Sequence, residues 1–261
     1  LSVPLNICLF QEVQRLQIVI ERIRSDLENL RLAIKGEVVM TPALQSALDA
    51  MYDAKVPHQW TLTPGGDEFS WISPTLGLWF AVLLERDQQL SMWLSKGRPP
   101  TFWMTGFFNA QGFLTAMKQE VTRAHRNEQW ALDDMTYTTM VTEHEHGGAV
   151  KKAPDEGVYV HGLFIDGAAW KLSKNKENRS LTDSEPKILF CALPVLHVSA
   201  IIKSKKPKDS IFGPNGAYKC PCYKYPARTD RYYIFMADLP AGKQSKSYWT
   251  LRGTALLCST D

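Results

Sequence analysis

Helices first and strands after is the fold class this sequence predicts, an α+β chain, and three observations predict it. An apolar stripe at helical spacing runs from Leu9 to Ile34. Thr41-Pro42, Ser73-Pro74 and Asn109 then supply cap signals for further helices. From about residue 132 the pattern becomes short β-prone runs separated by polar, turn-rich connections, as in an antiparallel sandwich or barrel.

The elements follow in order. Leu9, Val13, Leu16, Ile20, Ile23, Leu27, Leu30 and Ile34 make a one-sided stripe, with Glu12, Arg15, Glu21, Arg22 and Asp26 on the solvated face. Gly36 ends this helix, which at ~1.5 Å per residue is roughly 42 Å long. The pattern is too short for an extended coiled coil and reads as a helix docked on a larger body. A second helix opens at Thr41-Pro42, carries Leu44, Leu48 and Met51 on one side, and closes before Pro57. A third starts after Ser73-Pro74, runs to about Leu94, and turns Trp79, Val82, Leu83, Leu90 and Trp93 inward. Lys96-Gly97-Arg98-Pro99-Pro100 breaks it. Phe102–Phe108 is extended or a short helical turn, and Asn109 caps a fourth helix running to about Arg126. Trp103 and Phe107 are expected to be anchors worth roughly 3–5 kcal/mol each if fully buried.

Strands are expected at 132–141, 158–165, 188–193, 195–202, 218–223, 232–238 and 248–258, with connections at 171–184, 203–216 and 241–247. The change of character falls near 127–150. It divides the sequence into a helical subdomain, 1–130, and a strand subdomain, 131–261. No internal repeat is visible.

Composition excludes several classes. The 261 residues are 44% hydrophobic and 22% charged, which is globular rather than disordered or collagenous. Thirty basic against 27 acidic residues leave a net charge of +3, too mild to demand nucleic acid or a membrane. No run of eighteen apolar residues exists, and residues 1–10 lack the basic start of a secretory signal. The first residue is Leu rather than Met, which reads as a piece of a longer protein. Five scattered cysteines fit a reducing compartment better than a disulfide framework.

The motifs that could carry chemistry are weak. Gly242-Lys243 and Gly213-Pro214-Asn215-Gly216 each lack parts of a phosphate-binding loop and read as surface turns. Cys220-Pro221-Cys222 puts two thiols on one strand face with no second pair, so buried thiols are expected rather than a metal site. His144-Glu145-His146 beside Gly147-Gly148 reads as a solvated polar run, and His161 and His197 as satisfied strand histidines. Asp133-Asp134 and Glu143/Glu145 are loop or helix-start charges, and no Gly-x-Ser-x-Gly elbow exists. The basic run Lys203–Lys208 with Lys219, Lys224, Arg228 and Arg231, beside Tyr218, Tyr223, Tyr225, Tyr232 and Tyr233, allows an alternative: a barrel-type module for single-stranded nucleic acid or an acidic protein surface. No catalytic, cofactor-binding or metal residue is assigned.

Five blocks carry a family resemblance: residues 97–125, a Gly/Phe-rich stretch; Glu156–Trp170; Leu193–Val198; Cys220–Lys224 with Arg228-Thr229-Asp230; and Trp249–Cys258. In that order they resemble the C-terminal domain of dynein heavy chains, and the version in 113–125 looks axonemal. Residues 65–69, 174–180 and 211–217 depart from the family pattern, all in loops. The resemblance implies a helical part followed by an incomplete antiparallel β-barrel. It implies a domain that follows the sixth AAA+ module, lies on the ring face opposite the linker, and neither hydrolyses ATP nor touches the microtubule. ATP and Mg would belong to the AAA+ modules of the same heavy chain, which are the expected partners, with other dynein subunits possible and neither nucleic acid nor membrane expected. The expected location is the axoneme of a cilium or flagellum.

Overall fold

A computed structural model describes residues 3–172 and 179–260 and shows mixed helix and sheet. The loop difference expected at 174–180 lies largely outside the described residues. The polypeptide divides into two compact units, Leu9–Ser95 and Lys96–Thr260, the latter joined by the first residues through Cys8. Among the described residues no helix is long and apolar enough to cross a membrane.

The Leu9–Ser95 unit is helical. Helix α1 spans Pro4–Ile34, α2 Pro42–Tyr52, α3 His58–Thr61 and α4 Leu76–Lys96. Thr41 caps α2 as expected, its hydroxyl accepting from Leu44 N–H at 3.3 Å. At α4 the cap is Thr75, accepting from Leu78 N–H, rather than Ser73. The buried stripe of α1 is Leu9, Glu12, Leu16, Val19, Ile23, Leu30 and Ala33, while Leu27 and Ile34 are exposed. Leu9, Leu16, Ile23 and Leu30 are buried as expected, while the alternate positions of the stripe shift by one residue, to Glu12, Val19 and Ala33. One reason is visible: Asp26, on that shifted side, accepts a 2.8 Å hydrogen bond from the Trp60 indole. Trp60, Trp71 and Trp79 form the core, with Trp71 stacked on Trp79 at 4.6 Å and the Arg86 guanidinium 4.5 Å from the Trp71 ring. A desolvated cation over an aromatic face is worth about 2 kcal/mol.

The second unit is built on sheets. Its strands are β1 (Phe102–Trp103), β2 (Met135–Val141), β3 (Val158–His161), β4 (Phe164–Asp166), β5 (Ala169–Leu172), β6 (Arg179–Thr182), β7 (Phe190–Ala192), β8 (Leu196–Ile202), β9 (Ala217–Tyr223), β10 (Tyr233–Pro240) and β11 (Ala255–Leu257). They form a four-stranded sheet, β1-β3-β8-β2, a five-stranded sheet, β10-β9-β11-β4-β7, and a β5-β6 hairpin. The sheets are not closed into a barrel, and β1–β3 and β9–β11 pair in parallel, so the ladder is not purely antiparallel. Helix α5, Ala110–Ala124, packs on β8 and β10. Its cap is Asn109, whose side chain accepts from Gly112 N–H at 2.8 Å.

Three strand expectations are corrected. The single strand expected at 158–165 is two, β3 and β4, in different sheets. Gly162 makes the switch: its φ is +78, and a Cβ there would lie 2.4 Å from Trp103 Cδ1. The run 248–258 is a short helix, α6 (Lys246–Leu251), and then β11; Ser245 caps α6 by accepting from Tyr248 N–H at 3.2 Å. The connection 171–184 contains the β5-β6 hairpin. Phe102–Phe108 holds both expected forms, β1 and a 3-10 turn at Met104–Gly106. Its Phe102 and Phe107 are buried with Phe113, and Phe107 stacks on Phe113 at 4.2 Å, whereas Trp103 is only half-buried.

Candidate functional site

The seam where the two large sheets come closest holds the buried polar residues Thr139 and Asp238. β2 is an edge of one sheet and β10 an edge of the other. Between them Thr139 acts as a clasp. Its hydroxyl accepts from Asp238 N–H at 2.7 Å and donates to Asp238 C=O at 3.2 Å. The Asp238 side chain is buried, 3% exposed, and its carboxylate is shared by Lys206, at 2.8 Å, and Lys219. The same Lys206 ammonium donates to Tyr137 C=O at 3.2 Å. A buried carboxylate costs several kcal/mol unless paired, and two ammonium groups meet that need. Beyond the clasp the seam opens into a groove of about 720 Å³, bordered by Val141, Trp170, Arg179, Phe212 and Pro240.

A second cluster lies at the end of α5. His125 stands between two carboxylates, with Nδ1 2.8 Å from Glu128 and Nε2 2.5 Å from Glu156, and Trp130 stacks on its ring at 3.9 Å. The Glu128 bond, with help from Glu156, raises the imidazole above its ordinary value. Lys205 first, and His125 next, hold Glu128 down to about 2. Both carboxylates sit on opposite ring nitrogens, so they cannot converge on one metal ion. Among the described residues no group of three or more His, Cys, Asp or Glu side chains is placed to hold a metal.

The residues singled out in the sequence fall in varied places. Cys220 and Cys222 are fully buried on one face of β9, and burial pushes both thiols up, against the thiolate that a nucleophile or metal ligand needs. Glu145 pairs with Arg179, while Glu143, His144 and His146 lie at the surface. His161 lies against Gly147, and burial lowers it. His197 Nε2 donates to Glu156 C=O at 2.8 Å. Asp133 and Asp134 lie in a 3-10 turn with no buried residue, and Asp133 C=O accepts from Lys203. The Gly213–Gly216 and Gly242-Lys243 turns pack on each other, Asn215 donating to Gly242 C=O at 2.9 Å.

Several of the basic and aromatic residues of the alternative reading are engaged within the fold. Lys205 is engaged by Glu128, Lys206 and Lys219 by Asp238, and Arg228 by Asp166. Tyr218 and Tyr225 are buried, and the Tyr218 hydroxyl donates to Thr254 C=O at 2.7 Å.

The blocks that carried the resemblance meet in space instead. Arg228 donates to Asp166 and to Gly253 C=O, Arg252 Nε to Gly167 C=O at 3.1 Å, and Thr105 to Cys258 C=O at 2.5 Å. Sequence reasoning did not single out Asp238, Thr139 or His125. An aspartate inside a β-prone run, Ile234–Leu239, was the one available signal for the first.

Comparison with known proteins agrees with this framework. The family model describing the C-terminal domain of the dynein heavy chain matches residues 1–258. Dynein axonemal heavy chain 8 of Homo sapiens is 49% identical over 254 residues, which is 97% of this polypeptide. Dynein axonemal heavy chain 5 of Mus musculus is 46% identical over 98% of it, and the dynein gamma chain, flagellar outer arm, of Chlamydomonas reinhardtii 43% over all of it. The polypeptide spans only 5% of the length of each of these relatives. With a family model over nearly every residue and such identities along the whole sequence, it belongs to the family of C-terminal domains of dynein heavy chains.

Proposed function

We propose that this polypeptide is the non-catalytic C-terminal domain of an axonemal dynein heavy chain, an ATP-driven microtubule motor of cilia and flagella. The observation that carries the proposal is the family match over residues 1–258 together with relatives named as axonemal and flagellar heavy chains. In this reading the two facing sheets are the incomplete barrel of the family, and the domain packs on AAA+ modules of its own heavy chain, with other dynein subunits as further partners. ATP and Mg act in those modules, and microtubule, nucleic acid and membrane are not contacted by this domain. Its location is the axoneme.

The regulatory part of the proposal is that the domain tunes communication between ring modules. A coupling free energy of ~1–3 kcal/mol changes an affinity about 5–150-fold. Cross-braced sheet edges support such a role, because a rigid body transmits a displacement that a loose one absorbs. The test compares the parent motor with and without residues from Glu37 onward. A changed microtubule-stimulated ATPase rate or run length with the ring still assembled is the expected result. Unchanged values would reduce the domain to a passive brace.

A further inference from the structure

Two carboxylates on one imidazole fix the charge state of His125 by geometry alone. The residue closes α5, its backbone N–H donating to Val121 C=O at 3.3 Å. Glu128 stands at Nδ1 and belongs to the 3-10 turn that follows, Arg126–Glu128. Glu156 stands at Nε2 and comes from the segment entering β3. A carboxylate offers only acceptor oxygens, whereas a neutral imidazole carries one N–H and one lone pair. Both contacts therefore need the doubly protonated ring. When the ring loses a proton, one carboxylate is left facing a lone pair.

The surroundings decide which one. Glu128 has a second cation, Lys205 at 2.6 Å, whose ammonium also lies 5.2 Å from the Trp130 ring that stacks on His125. Glu128 is thus held beside Nδ1 in either state of the ring. The Glu156 carboxylate has no cation but His125 among the described residues, and its side chain is 47% exposed, so it can turn to water. The backbone there stays in place: Glu156 C=O accepts from His197 Nε2 at 2.8 Å, and Gly157 C=O from Arg98 at 2.7 Å. Arg98 also pairs with Glu120, which holds α5 about one turn further back. What a released Glu156 sets free is therefore the last turn of α5.

We infer that His125 is a proton-operated latch between the last turn of α5 and the entry to β3. The imidazolium closes it across Glu128 and Glu156. Loss of the Nε2 proton opens it, releasing Glu156 and leaving Glu128 with Lys205. The charged groups bearing on the ring are Glu128 first and then Glu156, with Lys205 acting through Glu128. His197, the other titratable ring at this corner, donates its Nε2–H whether neutral or charged, so its own titration leaves that tie intact. Both carboxylates favour the imidazolium and hold it above the ordinary histidine value of about 6.5. The latch is closed below that value and opens as pH rises through the higher one. It needs only this corner of the fold and does not depend on the motor reading.

The test is nuclear magnetic resonance on the 261-residue protein, titrated from about pH 5 to 9. The His125 ring is expected to titrate above about 6.5 and, once neutral, to keep its proton on Nδ1, as read from the ring nitrogen shifts. Through the same midpoint, exchange protection of the His125 amide, corrected for the chemical rate, falls about two- to fivefold, the size of one exposed ion pair. Glu156→Gln lowers the ring midpoint and removes most of that fall. Should this variant not fold, the tautomer and the amide protection of the wild-type protein decide. A midpoint at or below about 6.5 overturns the inference. So does a neutral ring protonated on Nε2, protection that does not change through the midpoint, or a midpoint that Glu156→Gln leaves in place.

Discussion

Replacing Phe107 by Ala tests the packing account most directly. Phe107 is 1% exposed and Phe113 0%; their rings stack 4.2 Å apart at 16°, and Phe102 lies 6.1 Å from Phe107. Removing a fully buried Phe ring costs about 3–5 kcal/mol, combining lost transfer energy and the cavity left behind. Of this, about 0.5–1.5 kcal/mol is ring-to-ring coupling, which a double-mutant cycle with Phe113→Ala isolates. Phe107→Leu keeps most of the volume and leaves a smaller cavity, so its loss falls between wild type and Phe107→Ala. Trp103 is the internal control: it is half-buried rather than buried, so Trp103→Ala costs less than Phe107→Ala despite the larger ring. The assay is urea unfolding followed by far-UV and near-UV circular dichroism. The two units can melt separately, so the shift is read on the transition that carries the strand signal. A loss below about 1 kcal/mol for Phe107→Ala, or a larger loss for Trp103→Ala, would refute the reasoning.

Three further outcomes follow from the same geometry. The raised His125 contributes stability fully below the unfolded histidine value of about 6.5 and loses it as pH rises through the folded value; titrating melting temperature from about pH 5 to 9 should show that loss, and His125→Gln should flatten it. The groups facing that ring are Glu128, Glu156, Trp130 and, through Glu128, Lys205. Asp238→Asn leaves Lys206 and Lys219 without their shared anion and should cost about 1.5–3 kcal/mol, the range for hydrogen bonds to charged groups, with an unchanged melt counting against the clasp. Gly162→Ala should lower the melting temperature, and pairing it with Trp103→Ala should recover only part of the loss, because the steric conflict goes while the positive φ stays.

The order of elements was legible because it rests on local signals. Thr41 and Asn109 cap helices as their sequence context predicts, since a cap is decided within about four residues. The alternate positions of the α1 stripe were not legible, because apolar content favours Val13, Ile20, Leu27 and Ile34, whereas the buried face takes Glu12 and Val19, with Asp26 bonded to a tryptophan 34 residues away. The pairing of strands was equally hidden. Nothing near Ala255–Leu257 announces that it lies between β9, in parallel, and β4. The run before it is rich in β-prone residues, yet the Ser245 cap turns 246–251 into a helix, so local capping outweighed composition there. Asp238 could not be read at all as a buried acid, because the lysines that neutralise it, Lys206 and Lys219, arrive from distant positions through tertiary structure.

The residues that identify the family are mostly occupied in holding the fold, and this bears on where function resides. Asp166, Gly167, Arg228, Arg252 and Gly253 come from three separate blocks and bond to one another around β4 and the approach to β11. Cys220 and Cys222 are sealed within β9 with raised thiols. A side chain engaged in this way is unavailable for chemistry on a ligand, so a recognition pattern built from such residues reports architecture. What the architecture leaves open are surfaces and edges. β2 stands at an edge of its sheet, closed at Thr139 by the clasp to Asp238 of β10. Open strand edges invite pairing, and proteins usually blunt or cover them. Here Lys206 takes the Tyr137 carbonyl, and Asp238 of β10 covers Thr139.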